Sequence, residues 1–370
     1  MNRIFLLFFV LTIAFSCERQ GEFTITGEAE GLDNEMVYLL KYSEGERRPV
    51  DSVYMDDGKF RFTGRVDIPQ FYHIGFEDRV STIEVFLENS DIEVRTSRRN
   101  LADAKVDGSS VHDEYKQFKM KLINVELDIN DVVNDMEYLK RWGHEEEAEK
   151  LRVEMHEPLL EKREEFLKDY VKANSSSHVA AFVFYYYMMY NLESDELKEI
   201  KNSFHSSLAG SPYLEAVESE LEKRERLKPG KELIDFTMED TEGSLTSLGS
   251  FTGEGYLLID FTASWSESYR EVLPGLRRIY SEYSDAGLDI LSVSLDHNRD
   301  EWLGFIEDER LEWNHVSDFK QWQSPAAENY LVRSIPHWLL ISPDGKIFSN
   351  RMKTIDELNA ELERVIFSKQ

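Results

Sequence analysis

The chain has 370 residues, of which 41% are hydrophobic, enough for about two or three domains with cores of their own. A formal net charge of −29 at pH 7 argues against nucleic acid as a partner, because a phosphate backbone would be repelled. The single cysteine, Cys17, excludes an internal disulfide and a cysteine-rich zinc site. The histidines show no metal-ligand spacing, so we expect neither a metal nor a cofactor.

Residues 1–17 have the pattern of a bacterial lipoprotein signal peptide. A short basic start precedes an apolar run over residues 4–15, which is too short to span a membrane. The run ends in Ala14-Phe15-Ser16-Cys17, which resembles the lipobox of bacterial lipoproteins. This resemblance implies a lipid on Cys17 that holds the protein in the cell envelope, facing the periplasm, with surface exposure left open. The alternative is an ordinary secretory signal with a coincidental cysteine.

Residues 22–106 are predicted to form an all-β domain. Alternating runs at residues 23–27, 36–40, 59–63 and 92–95 are separated by turn-forming residues. This spacing favours a small antiparallel sandwich or barrel. We expect a hairpin turn at Asp57-Gly58, because glycine tolerates a positive φ.

Residues 110–227 are predicted to form a helical connector of four or five helices, because leucine, charged and aromatic residues recur there at helical spacing. Residues 179–190 are almost continuously apolar and aromatic, with Tyr185, Tyr186 and Tyr187 in succession. A helix that is apolar on most faces is usually buried between others, so core packing is the first interpretation. A ligand-binding surface is the alternative.

Lys228-Pro229-Gly230 marks a boundary, after which strands and helices alternate over residues 230–370. The predicted order is strand, strand, helix, strand, helix, strand, strand, helix. The clearest strands are at 257–261, 290–295 and 338–341, and the helices are at 267–284, 299–309 and 355–367. Such alternation indicates an α/β domain whose sheet contains parallel pairs and is covered on both faces.

The motifs of residues 230–370 resemble those of the thioredoxin-like family, in particular its membrane-tethered, peroxiredoxin-related thiol-disulfide oxidoreductases. Residues 258–265 are similar to the strand that enters the active-site helix of that family, and Pro274 stands where the family kinks this helix. Ser334-Ile335-Pro336 is similar to its cis-proline loop. The N-terminal region, including Asp57-Gly58-Lys59-Phe60, resembles an uncharacterised β domain found ahead of thioredoxin-like domains in Bacteroidota-type lipoproteins.

The resemblance places the family's Trp-Cys-x-x-Cys on Trp265-Ser266-Glu267-Ser268-Tyr269, where both cysteines are replaced. Disulfide exchange requires a thiolate, and a serine hydroxyl is not appreciably ionised without a partner base. Asp260 stands where the family keeps a buried acid that serves the second cysteine. We therefore expect no catalytic residue, with Ser266, Tyr269 and Asp260 as degenerate active-site positions.

These features predict an exported lipoprotein whose redox-inactive domain binds a peptide or an envelope protein in a groove beside Trp265, Ile335 and Pro336. An extended peptide could pair with the backbone of the cis-proline loop. One alternative is a thiol-disulfide oxidoreductase that takes its thiol from a partner or a small molecule. A structural envelope protein is another. A Ser266–His337 pair of nucleophile and base is a further option that no motif supports.

Overall fold

The structure is a computed structural model that describes residues 21–43, 46–77, 81–350 and 352–366. Cys17 and the predicted signal segment lie outside these residues. The chain divides into two compact units, Met1–Val217 and Glu218–Gln370. Within the described residues, no helix has both the length and the hydropathy that crossing a membrane requires.

The N-terminal unit begins with two four-stranded sheets, in the orders β4-β1-β7-β8 and β3-β2-β5-β6. The strands are β1 (Phe23–Glu30), β2 (Met36–Ser43), β3 (Glu46–Tyr54), β4 (Lys59–Gly64), β5 (Gln70–Phe76), β6 (Thr82–Leu87), β7 (Asp91–Ser97) and β8 (Lys105–Asp107). The predicted all-β region is confirmed, but its pairing is not entirely antiparallel. After β6 the chain crosses from the second sheet to the first, where β7 runs parallel to β1.

The turn at Asp57-Gly58 forms as predicted, but it does not close a hairpin within one sheet. Both residues have positive φ, 50° and 66°, as a type I′ turn requires. Asp56 and Lys59 pair on either side of it. The flanking strands β3 and β4 belong to different sheets, so the turn carries the chain from one sheet to the other.

The helical connector contains α1 (Ser110–Arg141), α2 (Glu145–Leu151), α3 (Glu157–Ala173), α4 (His178–Val183), α5 (Ser194–Ser203) and α6 (Pro212–Arg226). A π-helical turn, Arg152–His156, joins α2 to α3 without a break, so the connector has five uninterrupted helical stretches, within the predicted four or five. The helix predicted over 179–190 is present over residues 178–188, but it is not a regular α-helix throughout. It is α-helical only to Val183 and continues as a π-helical turn over Phe184–Met188.

The C-terminal unit contains one seven-stranded sheet in the order β10-β9-β13-β12-β11-β14-β15. Its elements are β9 (Thr237–Asp240), β10 (Leu245–Ser247), β11 (Tyr256–Thr262), α7 (Glu267–Tyr283), β12 (Leu288–Ser294), α8 (Arg299–Asp308), β13 (Asn314–Ser317), α9 (Pro325–Asn329), β14 (His337–Ile341), β15 (Ile347–Ser349) and α10 (Ile355–Ile366). Strands β11, β12 and β13 are parallel, whereas β14 runs antiparallel to β11.

Three short elements of this unit are absent from the predicted order: one of the two strands before β11, then β13 and α9. Strand β13 has only four residues, Asn-His-Val-Ser, so it shows no apolar run that a sequence pattern could detect. Strand β11 is buried along almost its whole length, as expected for a central strand with both faces covered. Its carboxyl end leads directly into α7, which places the candidate site at this edge of the sheet.

Candidate functional site

Ser266, at the first cysteine position of the resemblance, is the N-terminal cap of α7. Its backbone is extended (φ −83°, ψ 111°) and its Oγ accepts the amide proton of Tyr269 at 3.2 Å. A serine in this position satisfies one of the free amide groups of the first helical turn. The residue that replaces the nucleophile therefore stabilises the start of the helix.

A chain of hydroxyl groups connects this cap to the cis-proline loop. The Ser266 Oγ lies 3.1 Å from the Ser268 Oγ, and Ser268 donates to the carbonyl oxygen of Ile335 at 2.9 Å. Because an amide N–H can only donate and a carbonyl can only accept, the Ser266 hydroxyl must donate to Ser268. The Ile335–Pro336 peptide bond is cis. The start of α7 and the loop are therefore direct neighbours, as the resemblance implies, although Ser268 was not anticipated as the connection.

Tyr269, at the second cysteine position, is fully buried, and its hydroxyl donates to Asp260 Oδ2 at 2.6 Å. Ser292 Oγ donates to the same oxygen at 2.8 Å, and Trp338 Nε1 donates to Oδ1 at 2.9 Å. Trp313 Nε1 in turn donates to Ser292 Oγ at 2.8 Å. The buried acid is thus held by three donors, and the tyrosine occupies the place where the family keeps a thiol.

Strand register explains why these groups meet. Asp260 on β11 pairs with Ser292 on β12 and with Trp338 on β14. Cross-strand neighbours present their side chains on the same face of a sheet, so both donors reach the carboxylate. Sequence reasoning identified Asp260 and Tyr269 but missed Ser292 and Trp338, because only the pairing of distant strands places them there.

Burial raises the pKa of Asp260 to about 6, and the hydrogen bonds from Tyr269, Ser292 and Trp338 limit this rise. Burial also holds the pKa of Tyr269 well above its usual value, and the nearby charge of Asp260 adds to the effect. At neutral pH the tyrosine is therefore a neutral donor to a buried carboxylate.

The raised pKa of Asp260 predicts that stability falls as pH rises. Between the ordinary aspartate pKa and about 6, the native state binds more protons than the unfolded chain, so each step up in pH favours unfolding. We expect a loss of about 3 kcal/mol between about pH 4 and about pH 7, beyond which this contribution is constant. Urea unfolding of the wild type and of Asp260→Asn across this range measures it. The difference between the two proteins should change by this amount, and parallel profiles would contradict the assignment.

Two half-exposed tryptophans flank this site. Trp265 is 48% exposed, Trp322 is 46% exposed, and their ring centroids lie 6.2 Å apart. Just before Trp322, Phe319 and Gln321 both adopt positive φ, 58° and 54°, which is uncommon for residues other than glycine. Backbone of this kind concentrates at functional sites. Trp322 was not predicted, since it lies in a segment without a periodic pattern.

The turn that carries Trp265 is held by a buried carboxylate. Asp296 accepts the Ser264 amide at 3.0 Å and the Ser264 hydroxyl at 2.6 Å, and it also accepts the Ser294 hydroxyl at 2.8 Å. Asp296 is 1% exposed. The turn that carries Trp265 at the surface is therefore held in place by its hydrogen bonds to the buried Asp296.

His337 does not join Ser266. It pairs with Phe261 across β11 and β14, and the two ring centroids lie 5.9 Å apart. Burial lowers the pKa of His337 to about 4. The Ser266 proton is directed to Ser268, so the described chain contains no Ser266–His337 pair of nucleophile and base. Among the described residues, no group of three or more His, Cys, Asp or Glu side chains is placed to hold a metal ion.

Known proteins match the two ends of the chain separately. The family described as thioredoxin-like matches residues 253–347, and a domain of unknown function, DUF4369, matches residues 23–115. The thiol-disulfide oxidoreductase ResA of Bacillus cereus is 24% identical over 160 residues, which are 43% of this chain and 90% of that protein. ResA of Bacillus subtilis is 24% identical over 124 residues, which are 34% of this chain and 67% of that protein.

Solved structures of thiol-disulfide oxidoreductases are similar to the C-terminal domain. The thioredoxin domain of one from Bacteroides vulgatus is 30% identical and covers 38% of this chain and 99% of its own, with a TM-score of 0.35. One from Bacteroides fragilis is 29% identical and covers 36% of this chain and 99% of its own, also with a TM-score of 0.35. Both resemblances seen in the sequence are confirmed. The chain belongs to the thioredoxin-like family through its C-terminal α/β domain, and it carries a separate N-terminal all-β domain of the DUF4369 type.

Proposed function

We propose that this protein is an exported lipoprotein of the cell envelope whose thioredoxin-like domain has lost disulfide exchange and acts by binding an extended peptide. The observation that carries the proposal is the replacement of the resolving cysteine by Tyr269, whose hydroxyl donates to Asp260 at 2.6 Å. The family's acid is therefore committed to a structural partner.

The chemistry of the two replaced positions supports this loss. Exchange proceeds by attack of a thiolate on a disulfide sulfur, and neither Ser266 nor Tyr269 has a sulfur atom. The Ser266 hydroxyl is engaged at both ends, as acceptor from Tyr269 and donor to Ser268. Oxidoreductase activity of the kind named for the relatives would require a thiol from another molecule.

Two features beside the cis-proline loop support binding. Trp265 and Trp322 present two half-exposed rings, and aromatic side chains bury large areas in recognition. The Ile335 carbonyl accepts one hydrogen bond from Ser268 and retains a second lone pair for a peptide amide. An extended segment could therefore pair with the loop backbone while its side chains contact the two rings.

The partner that we propose is a peptide or an unfolded segment of another envelope protein. The proposed location, periplasm-facing and anchored through a lipid on Cys17, rests on the signal pattern of residues 1–17. A lipid tether and a peptide groove together describe a protein that captures substrates or partners close to a membrane.

Two measurements on the purified full chain test the proposal. Insulin reduction in the presence of dithiothreitol should not exceed a blank without protein, because the chain has no thiol at the family's active-site positions. Turnover above the blank would show that exchange chemistry persists. A tiled array of unfolded protein segments, read by tryptophan fluorescence, should identify peptides that bind.

Trp265→Ala is expected to weaken binding of the tightest of these peptides by about tenfold or more, as for an aromatic hot spot in an interface. The matched control is Trp142→Ala, which removes a 67% exposed tryptophan from the N-terminal unit and should leave binding unchanged. Equal effects of the two substitutions, or an array without binders, would contradict a groove at Trp265.

A further inference from the structure

The N-terminal unit contains a cavity of about 160 Å³ between the β3-β2-β5-β6 sheet and the helices of the connector. Its inner walls are aromatic and come from four elements: Phe71 on β5, Tyr115 on α1, Phe182 on α4 and Tyr213 on α6. Phe71 and Phe182 stack with their ring centroids 4.7 Å apart, and the Tyr213 hydroxyl accepts the Phe71 amide at 2.8 Å. The walls are therefore fixed against one another.

Three consecutive tyrosines, Tyr185, Tyr186 and Tyr187, line the same cavity. Successive side chains of a regular α-helix point about 100° apart, which does not favour one cavity for all three. Here they lie in the π-helical turn Phe184–Met188, an irregularity that is frequent at functional sites. Tyr186 stacks on Phe182 at 5.3 Å and is nevertheless 56% exposed. The three tyrosines therefore line the cavity, and Tyr186 is also part of the protein surface beside it.

The charged residues that line the cavity are three cations and one carboxylate. Glu84 is already engaged, because it accepts the Tyr115 hydroxyl at 2.8 Å and lies 3.4 Å from the Lys119 ammonium. Lys41 and Arg47 have no ion pair with any residue in the described ranges. The cavity is therefore locally positive in a chain whose net charge is −29.

His73 adds a neutral polar group to the wall. It is 7% exposed, and its Nδ1 lies 3.0 Å from the Thr82 hydroxyl. Burial, assisted by the charge of Arg47, lowers its pKa to about 4, so the ring carries no charge at neutral pH. Its other ring nitrogen has no hydrogen-bond partner among the residues that the structure describes and is available to a ligand.

We propose that this cavity is a binding site for a small aryl carboxylate. The ring would lie between the aromatic walls, and the carboxylate would face Arg47, since a guanidinium can hold a carboxylate by two parallel hydrogen bonds. The size agrees with one ring, because an apolar cavity of about 150 Å³ accommodates benzene. This site lies in the N-terminal unit and does not depend on the function proposed for the thioredoxin-like domain.

Three probes of nearly the same shape test the proposal by calorimetry on the full chain: phenylacetate, phenylacetamide and 2-phenylethylammonium. We expect phenylacetate to bind with a dissociation constant on the order of 0.1–1 mM, a range typical of efficient ligands of this size. The amide should bind at least about tenfold more weakly, and the cation should not bind measurably, because the positive charges oppose it. Tighter binding of the cation, equal binding of all three, or no binding of phenylacetate would overturn the proposal.

A pair of variants distinguishes the loss of a positive charge at the cavity from a general effect on folding. Arg47→Gln should weaken binding of phenylacetate by about tenfold and leave binding of phenylacetamide unchanged, because it removes only the contact with the carboxylate. Arg48→Gln is the matched control, since successive side chains of a strand leave its opposite faces. Both arginines are exposed, so neither change is expected to unfold the protein. Equal loss in both variants would show that the effect is not specific to the cavity.

Discussion

Tyr269→Ala is expected to lower the free energy of unfolding of the C-terminal unit by about 3–5 kcal/mol, the range for removal of a large buried aromatic side chain. The side chain is fully buried, so its removal leaves a cavity in the core. It also removes one of the three donors to Asp260, and a buried carboxylate that loses a partner is costly. We expect this to be the largest effect of any single substitution at the candidate site.

Urea unfolding followed by tryptophan fluorescence measures this loss. Of the 6 tryptophans only Trp142 precedes residue 218, so the signal reports mainly on the C-terminal unit. Tyr269→Phe keeps the ring and should cost about 1–3 kcal/mol, the effect of the missing hydrogen bond to a charged group. Tyr283→Phe, on the same helix, loses a bond to Asn359 instead and should cost less than about 1 kcal/mol. If Tyr269→Ala lowers the free energy of unfolding by no more than Tyr283→Phe does, Tyr269 does not stabilise the C-terminal unit as expected.

Placing cysteines at both positions, as Ser266→Cys with Tyr269→Cys, is expected to give a domain that reduces insulin. The first cysteine would cap α7, where the helix N-terminus lowers the pKa of a thiol. The second would face Asp260, the acid that the family keeps near this position. We expect turnover at least about tenfold above the blank, since both sulfur atoms required for exchange would be present.

The single variants are the controls for this gain. Ser266→Cys alone should add one reactive thiol relative to the wild type but show no turnover, because no thiol stands at position 269 to resolve the mixed disulfide. The double variant should be less stable than the wild type by about 2–4 kcal/mol, because cysteine leaves much of the tyrosine volume empty. A folded double variant with reactive thiols at positions 266 and 269 and no turnover would contradict the proposal that replacement of the cysteines removes exchange activity.

The extent of the thioredoxin-like fold could be predicted because its signals are local. The apolar strand at 257–261 and the helix that follows it are confirmed as β11 and α7, with bounds that differ by at most one residue. The cis bond at Ile335–Pro336 follows from the same resemblance. Short elements without an apolar run, such as β13 and α9, gave no such signal.

The contacts of the site depended on pairing between distant segments. Ser292 and Trp338 reach Asp260 only because β12 and β14 flank β11 in a particular register. Trp322 stands beside Trp265 only because the segment after β13 turns back towards the start of α7. Neither relation has a period or spacing along the chain, so no local pattern could reveal it.

The sequence by itself determined that the chain of 370 residues contains a single cysteine and that Ser266 and Tyr269 stand where the family keeps two thiols. Those facts depend only on the order of residues and on the chemistry of each side chain. The tertiary structure decided what replaced the thiols: a helix cap, a hydroxyl chain to Ile335 and a phenol on a buried carboxylate. It also decided that the successive tyrosines at 185–187 line a cavity, because a π-helical turn and the packing of a sheet on helices bring them there. Geometry of this kind arises from long-range packing, which a residue pattern does not contain.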